Sequence, residues 1–230
     1  MFGRETKCPD TGATPPVLTT LQRQPGFVPL RRAQRVPATH GDNRQKIPTS
    51  TPGEALKIAA MYTEMFAQMK KQLGQLDKWL GAAQEYAKSK AFDPTVFVGL
   101  RLAPDQFPLS RQVQICCDSA KLAASFLSGK PAESQADTEQ TLEALQERVR
   151  SIIAYLDGFS PQDFDGAATR VVSQPRWKGE WMTGADYFVQ HSVPNFYFHL
   201  TTAYAILRHN GVSVGKRDFL GAQTKRPPAN

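Results

Sequence analysis

Apolar residues recur at three- and four-residue steps in four stretches of this chain, the period of an α-helix with one buried face. In the first stretch, Ile58, Tyr62, Met65, Met69, Leu76, Leu80, Ala83 and Ala87 align over about eight turns ending near Ser89. Thr51, Pro52 and Glu54 give it a start signal: an N-cap, a proline at the first helical position and a glutamate three residues on. The second stretch begins at Pro108 and carries Leu109, Val113, Cys116, Ala120, Ala123 and Leu127 before Gly129-Lys130-Pro131 stops it. The third opens on Asp137 and Gln140 as a capping-box pair, carries Leu142, Leu145, Val149, Ile152 and Leu156, and ends at Gly158. The fourth opens on Thr183 and Asp186 and runs to about Asn210, with Gly211 as its stop. Pro194 lies inside it and predicts a kink or a restart.

The connections differ in kind. Ala91 to Phe107 is long, with turn chemistry at Asp93-Pro94 and Pro104-Asp105. In residues 159–182, Arg170-Val171-Val172 reads as a short strand, and Trp177 and Trp181 flank a Lys-Gly turn, so a small hairpin or packed loop is expected. The first helix lacks heptad charge regularity and suits a bundle more than a coiled coil. The prediction is an all-α four-helix bundle over residues 53–221, with a small insert before the last helix and a disordered tail at 222–230.

Charge separates this domain from what precedes it. Residues 1–50 hold eight Lys/Arg against three Asp/Glu, a balance of +5, which leaves 7 − 5 = +2 for the other 180 residues. The folded part is thus near neutral, and a nucleic-acid-binding face is not expected. Eight prolines at or before Pro52 leave that segment no window in which a helix could bury a face. Residues 1–52 are expected to be a disordered, dispensable basic leader, translated from a start codon upstream of Met61. A targeting peptide would lack Glu5, Asp10 and Asp42, and a nucleic-acid arm would carry denser basic residues than Arg31, Arg32 and Arg35. No apolar run is long enough to cross a membrane as a helix. Cys116 and Cys117 are adjacent on a helix, about 100° apart, and cannot easily bridge each other. With Cys8 they make no disulfide framework, so a reducing, cytoplasmic compartment is expected.

Candidate chemistry lies where the apolar pattern breaks. Gln112 and Ser119 fall one heptad apart between Leu109/Val113/Cys116/Ala120 and Ile115/Leu122/Phe126, in the middle of the buried arc of the second helix. Buried amides and hydroxyls need partners, so these two either glue helices together or line a cavity. On the last helix His199 falls among Phe196, Ala203 and Ile206 and points inward, where a neutral imidazole is favoured; His209 falls off that face. Cys116 reads as a small core residue, and Arg101, Asp105 and Arg111 as braces at the mouth of the second helix. Trp177, Trp181 and Tyr187 are expected to cover the end of the bundle. Glycine-rich dinucleotide and phosphate loops, Cys-x-x-Cys and His-Glu-x-x-His are all absent, so nucleotide hydrolysis and dinucleotide redox chemistry have no residues to rest on.

Two stretches carry a family resemblance. Arg101-Leu-Ala-Pro-Asp-Gln-Phe-Pro-Leu-Ser-Arg-Gln-Val-Gln114 resembles the central motif of domain-of-unknown-function family 1993. Pro194-Asn-Phe-Tyr-Phe-His-Leu-Thr-Thr-Ala-Tyr-Ala-Ile-Leu-Arg208, with Gly215-Lys-Arg-Asp-Phe-Leu-Gly221, resembles its C-terminal motif. The resemblance spans roughly Ile58 to Gly221. It implies a DinB/YfiT-like up-down-down-up bundle, a superfamily in which relatives often bind a divalent metal through three histidines and some are thiol-dependent transferases. The implied metal triad is not reproduced: the second helix has no histidine, and Ala203 stands four residues after His199.

Two sites follow from these residues. The first is a small-molecule pocket between the second and fourth helices, formed by His199, Gln112, Tyr204, Ser119 and Asn195, with no cofactor. The alternative is a divalent-metal-dependent transferase or hydrolase using His199, His191 and Asp118. Here Pro194 would turn His191 towards His199, although Asp118 shares a side with Gln114, Lys121 and Ser125 that reads as solvent-facing. A homodimer without a ligand is the third reading.

Overall fold

The computed structural model describes residues 52–226. The leader, Thr51 as an N-cap and the burial of Ile58 lie outside the described residues. Four long helices form where the periodicity places them: α1 (Pro52–Ser89), α2 (Leu109–Ser128), α3 (Leu142–Asp157) and α5 (Val193–His209). Two short ones, α4 (Gly184–Asp186) and α6 (Lys216–Leu220), flank α5. α1 packs on α3, α2 packs on α5, and α2 also meets α3 around one continuous core. Tyr62, Met69, Leu76, Leu80, Ala83 and Ala87 of α1 are buried as expected; Met65 is half-buried, and Phe66, Leu73 and Trp79 join the core.

Two helix boundaries carry physical lessons. α3 begins at Leu142 with Thr141 as its cap, the Thr141 hydroxyl accepting from the Ala144 N–H at 3.1 Å. Asp137 and Gln140 therefore do not form the predicted capping box. Asp137 is instead drawn to Arg111 and Arg148, which holds residues 129–140 outside any helix. At the end of α2, Gly129 takes a left-handed conformation (φ 77°) and its N–H closes the last turn on Ser125 O, as the stop signal predicts.

The insert is a hairpin of β1 (Val171–Val172) and β2 (Met182–Thr183), antiparallel, with Val171 opposite Thr183. Arg170 Nε ties it to the end of α2 by donating to Leu127 O at 3.0 Å. Gly184, at the start of α4, cannot be replaced: a Cβ there would lie 2.0 Å from Ala167 O. Thr183 caps α4, its hydroxyl accepting from Asp186 N–H at 3.1 Å.

Between α4 and α5 the chain winds as a π-helical turn, Tyr187–Ser192, without leaving the helical path. Pro194 is the reason. Its ring has no N–H to give and crowds the carbonyl four residues back, so the preceding turn widens by about one residue instead of breaking. The predicted kink or restart is met by this wider turn. Among the described residues no helix is long and apolar enough to cross a membrane.

Candidate functional site

Two polar rungs cross the seam between α2 and α5. Gln112 Oε1 lies 2.7 Å from His199 Nδ1, and Asn195 Nδ2 donates to Ser119 Oγ at 2.7 Å. The rungs run in opposite order along the two helices, which are therefore antiparallel. Four of the five residues read as a ligand site thus meet in pairs. Tyr204 does not join them: its ring packs edge-on against Trp79 and Phe219, towards α1 and α6. A helical wheel cannot tell which neighbour a flank residue will meet.

Hydrogen-bond logic fixes the protons of the first rung. Gln112 Nε2 donates to Phe107 O at 3.0 Å, and a carbonyl can only accept. The amide oxygen must then face His199, so Nδ1 carries the imidazole proton and Nε2 carries the lone pair. Burial, helped by the charge of Arg111, lowers the pKa of His199 to about 4, which makes the ring neutral near pH 7. The residue is 7% exposed. Its Nε2 has no hydrogen-bond partner among the described residues, yet it is not one of their sealed polar atoms. One exposed aromatic ring stands beside it, Phe198, with ring centroids 5.1 Å apart; Phe107, also exposed, is tied to the rung through its backbone carbonyl, which holds Gln112.

The other side of α2 is charged and closed. Arg148 of α3, with its side chain 2% exposed, reaches Asp118 at 3.0 Å, Asp137 at 3.0 Å and Glu139 at 2.9 Å, and donates to Ala136 O at 3.1 Å. Gln114 donates to Glu139 at 2.8 Å, and Lys121 pairs with Asp118 at 3.0 Å. The side of α2 expected to face solvent is therefore buried: Gln114 and Lys121 are interior, while Leu122, expected inside, is exposed. Burial works against the charge of Glu139, but the hydrogen bonds from Arg148 and Gln114 outweigh it and hold the carboxyl below its usual range. Arg148 was legible as an anomaly, since it sits three residues after Leu145 and four before Ile152 on the apolar stripe.

The third histidine is engaged elsewhere. His191, on the π-helical turn, stacks on Tyr187 at 5.3 Å and meets Trp177 edge-on at 5.9 Å. Arg176 donates to its Nε2 at 2.7 Å, and burial together with that guanidinium lowers its pKa. Trp177 and Tyr187 do cover this end, whereas Trp181 is exposed and plugs nothing. Arg101 braces its own loop by donating to Gln106 O at 3.2 Å.

These contacts test the metal reading. His191 presents its free nitrogen to a cation, Asp118 is held by two cations, and no three His, Cys, Asp or Glu side chains among the described residues converge as a metal site. His199, His191 and Asp118 do not fit a shared metal ion. Thiolate chemistry is also disfavoured. Cys116 and Cys117 are fully buried, and burial pushes the Cys117 pKa up to about 12 and raises that of Cys116.

Comparison with known proteins agrees with the fold. The solved structure of a DinB family member protein from Shewanella denitrificans is 45% identical and superposes with a TM-score of 0.73, covering 75% of this chain and 99% of its own. No curated protein matches the chain. The family model for a domain of unknown function, DUF1993, matches residues 61–220, which include most of the core and both polar rungs. The chain belongs to the DUF1993 family and has a DinB-like helical fold.

Proposed function

We propose that this protein binds a small molecule at the α2–α5 seam, with His199 Nε2 as the hydrogen-bond acceptor and Phe107 and Phe198 as the apolar rim. The observation that carries this is the locked amide of Gln112, which leaves a neutral imidazole whose lone pair has no partner among the described residues, beside the exposed ring of Phe198. The chemistry favours binding over proton transfer. A base with a pKa near 4 is poorly matched to abstracting protons at pH 7, but its lone pair still accepts a hydrogen bond. The expected ligand therefore carries an N–H or O–H donor next to an apolar group.

The reading runs through no metal, because the residues that would complete a triad are held by Arg176, Arg148 and Lys121. A fragment screen read by the imidazole 15N resonances tests it. Donor-bearing fragments should move the His199 Nε2 resonance and lose binding in His199→Phe. A screen in which no such fragment moves that resonance overturns the proposal.

A further inference from the structure

The hydroxyl protons along the α2–α5 seam are spent inside it. Ser119 gives its own to Ile115 O at 2.6 Å, and Thr202 gives its own to Phe198 O at 2.8 Å. Ser119 Oγ can then only accept from Asn195, so the amide nitrogen of Asn195 faces Ser119 and its Oδ1 is turned away. Asn195 is half-buried, and its Oδ1 has no hydrogen-bond partner among the described residues, yet is not one of their sealed polar atoms. The second rung therefore ends as the first does, in an acceptor open to a ligand. We infer that Asn195 Oδ1 and His199 Nε2 together select a neutral aromatic amine, whose single amino group bridges the two acceptors. This rests on the ligand site proposed at His199 and makes Asn195 a specificity-determining residue of it.

Spacing sets the first restriction. Asn195 and His199 lie four residues apart on α5, so they are neighbours on one face with Cβ atoms about 5–6 Å apart. A nitrogen about 2.9 Å from each of two acceptors spans about that distance. An –NH2 group carries both hydrogens that this requires. A hydroxyl carries one and leaves an acceptor unpaired. Carboxylates and carbonyl oxygens gain nothing from Ser119 or Thr202, whose protons are committed.

Charge sets the second. Burial and the charge of Arg111 keep the imidazole of His199 neutral, and the same surroundings oppose an ammonium placed beside it. Arg111 itself is turned to Asp137 and Gln114, so it is not free to hold an anionic ligand. An aromatic amine meets both demands. Its nitrogen is uncharged near pH 7, and its lone pair is drawn into the ring, which leaves two donors and almost no acceptor. The exposed ring of Phe198, 5.1 Å from the imidazole, offers an aromatic contact to the ring of the ligand.

The test is a titration of the full chain with aniline, N-methylaniline and N,N-dimethylaniline, which carry two, one and no N–H on the same ring. The His199 imidazole 15N and the Asn195 side-chain amide resonances report binding. Aniline should move both, and each N–H removed should weaken binding by about fivefold. Phenol and benzylammonium should each bind about fivefold more weakly than aniline, the first for want of a donor and the second for its charge. Asn195→Ala should bind aniline no more tightly than N-methylaniline, because one acceptor remains. The Asn195 amide shift in the parent gives an answer that depends on no variant. The inference is overturned if N-methylaniline, phenol or benzylammonium binds as tightly as aniline, if the Asn195 amide does not move, or if Asn195→Ala keeps the preference of the parent. Any of these results with His199 Nε2 still moving leaves the ligand site standing and removes only its selectivity. If none of the compounds moves His199 Nε2, site and selectivity fall together.

Discussion

α2 has two polar sides that solve burial in opposite ways. Towards α5, neutral groups meet in pairs, and the Gln112–His199 pair ends in a lone pair with no partner among the described residues. Towards α3, charges meet in a network in which a single guanidinium serves three carboxylates and a carbonyl. The neutral seam costs little to bury and leaves bonding capacity for a ligand. The charged seam is held by mutual compensation, so removing one member strands the others. The first arrangement suits recognition and the second suits locking a long connection in place.

The comparison can be broken most severely at Arg148. Arg148→Met should destabilise the fold by about 3–5 kcal/mol in urea unfolding, because Asp118, Asp137 and Glu139 lose their shared partner. A loss near zero would mean that the network is ornamental.

Acid should separate the two seams by the pH at which each fails. The pKa of His199 is lowered from 6.5 to about 4 in the folded chain, so between those values the unfolded chain binds a proton that the folded chain does not. Stability should be complete above pH 6.5 and fall through that window by up to about 3 kcal/mol. Glu139, also lowered, contributes above its ordinary value of 4.5 and loses that contribution only as pH falls further. Urea unfolding at stepped pH should show both phases in the parent, and His199→Phe should lack the first.

Gln112→Ala should lose about 2 kcal/mol by stranding the Nδ1 proton of His199 and Phe107 O. Gln112→Glu should instead raise the pKa of His199, read by NMR titration, since a carboxylate would favour the imidazolium. The smallest effect is expected at the second rung. Asn195→Ala should lose about 1 kcal/mol in thermal unfolding, because the Ser119 hydroxyl keeps its bond to Ile115 O at 2.6 Å.

One seam is legible in the sequence, while of the other only Arg148 stands out, for a physical reason. Gln112, Ser119 and His199 interrupt apolar stripes, and a polar break in a buried face shows up in periodicity alone. Asp137 and Glu139 interrupt nothing, since they lie in a connection where carboxylates are ordinary. Their partner Arg148 is nine or more residues away along the chain. Local capping chemistry was read at Asp137 and Gln140, and long-range charge pairing prevailed. Tyr204 fails for a related reason: whether this half-buried ring turns to α2 or to Trp79 is decided by packing that no wheel contains.

The wide turn at Tyr187–Ser192 has a consequence for how this chain tolerates changes of length. A π-helical turn is what one extra residue does to an α-helix. Within it, Tyr187 and His191 pack against Trp177 and Arg176 of the insert, and after it Asn195 and His199 serve α2. Gln190 is exposed, and its side chain donates to Asp186, one turn back, at 2.9 Å. A one-codon deletion there would rotate the hairpin-facing half by about 100° while α5 stays seated on α2. A change of length is thus expected to fall on the contacts of Tyr187 and His191 first, while the imidazole of His199 keeps its place on α2.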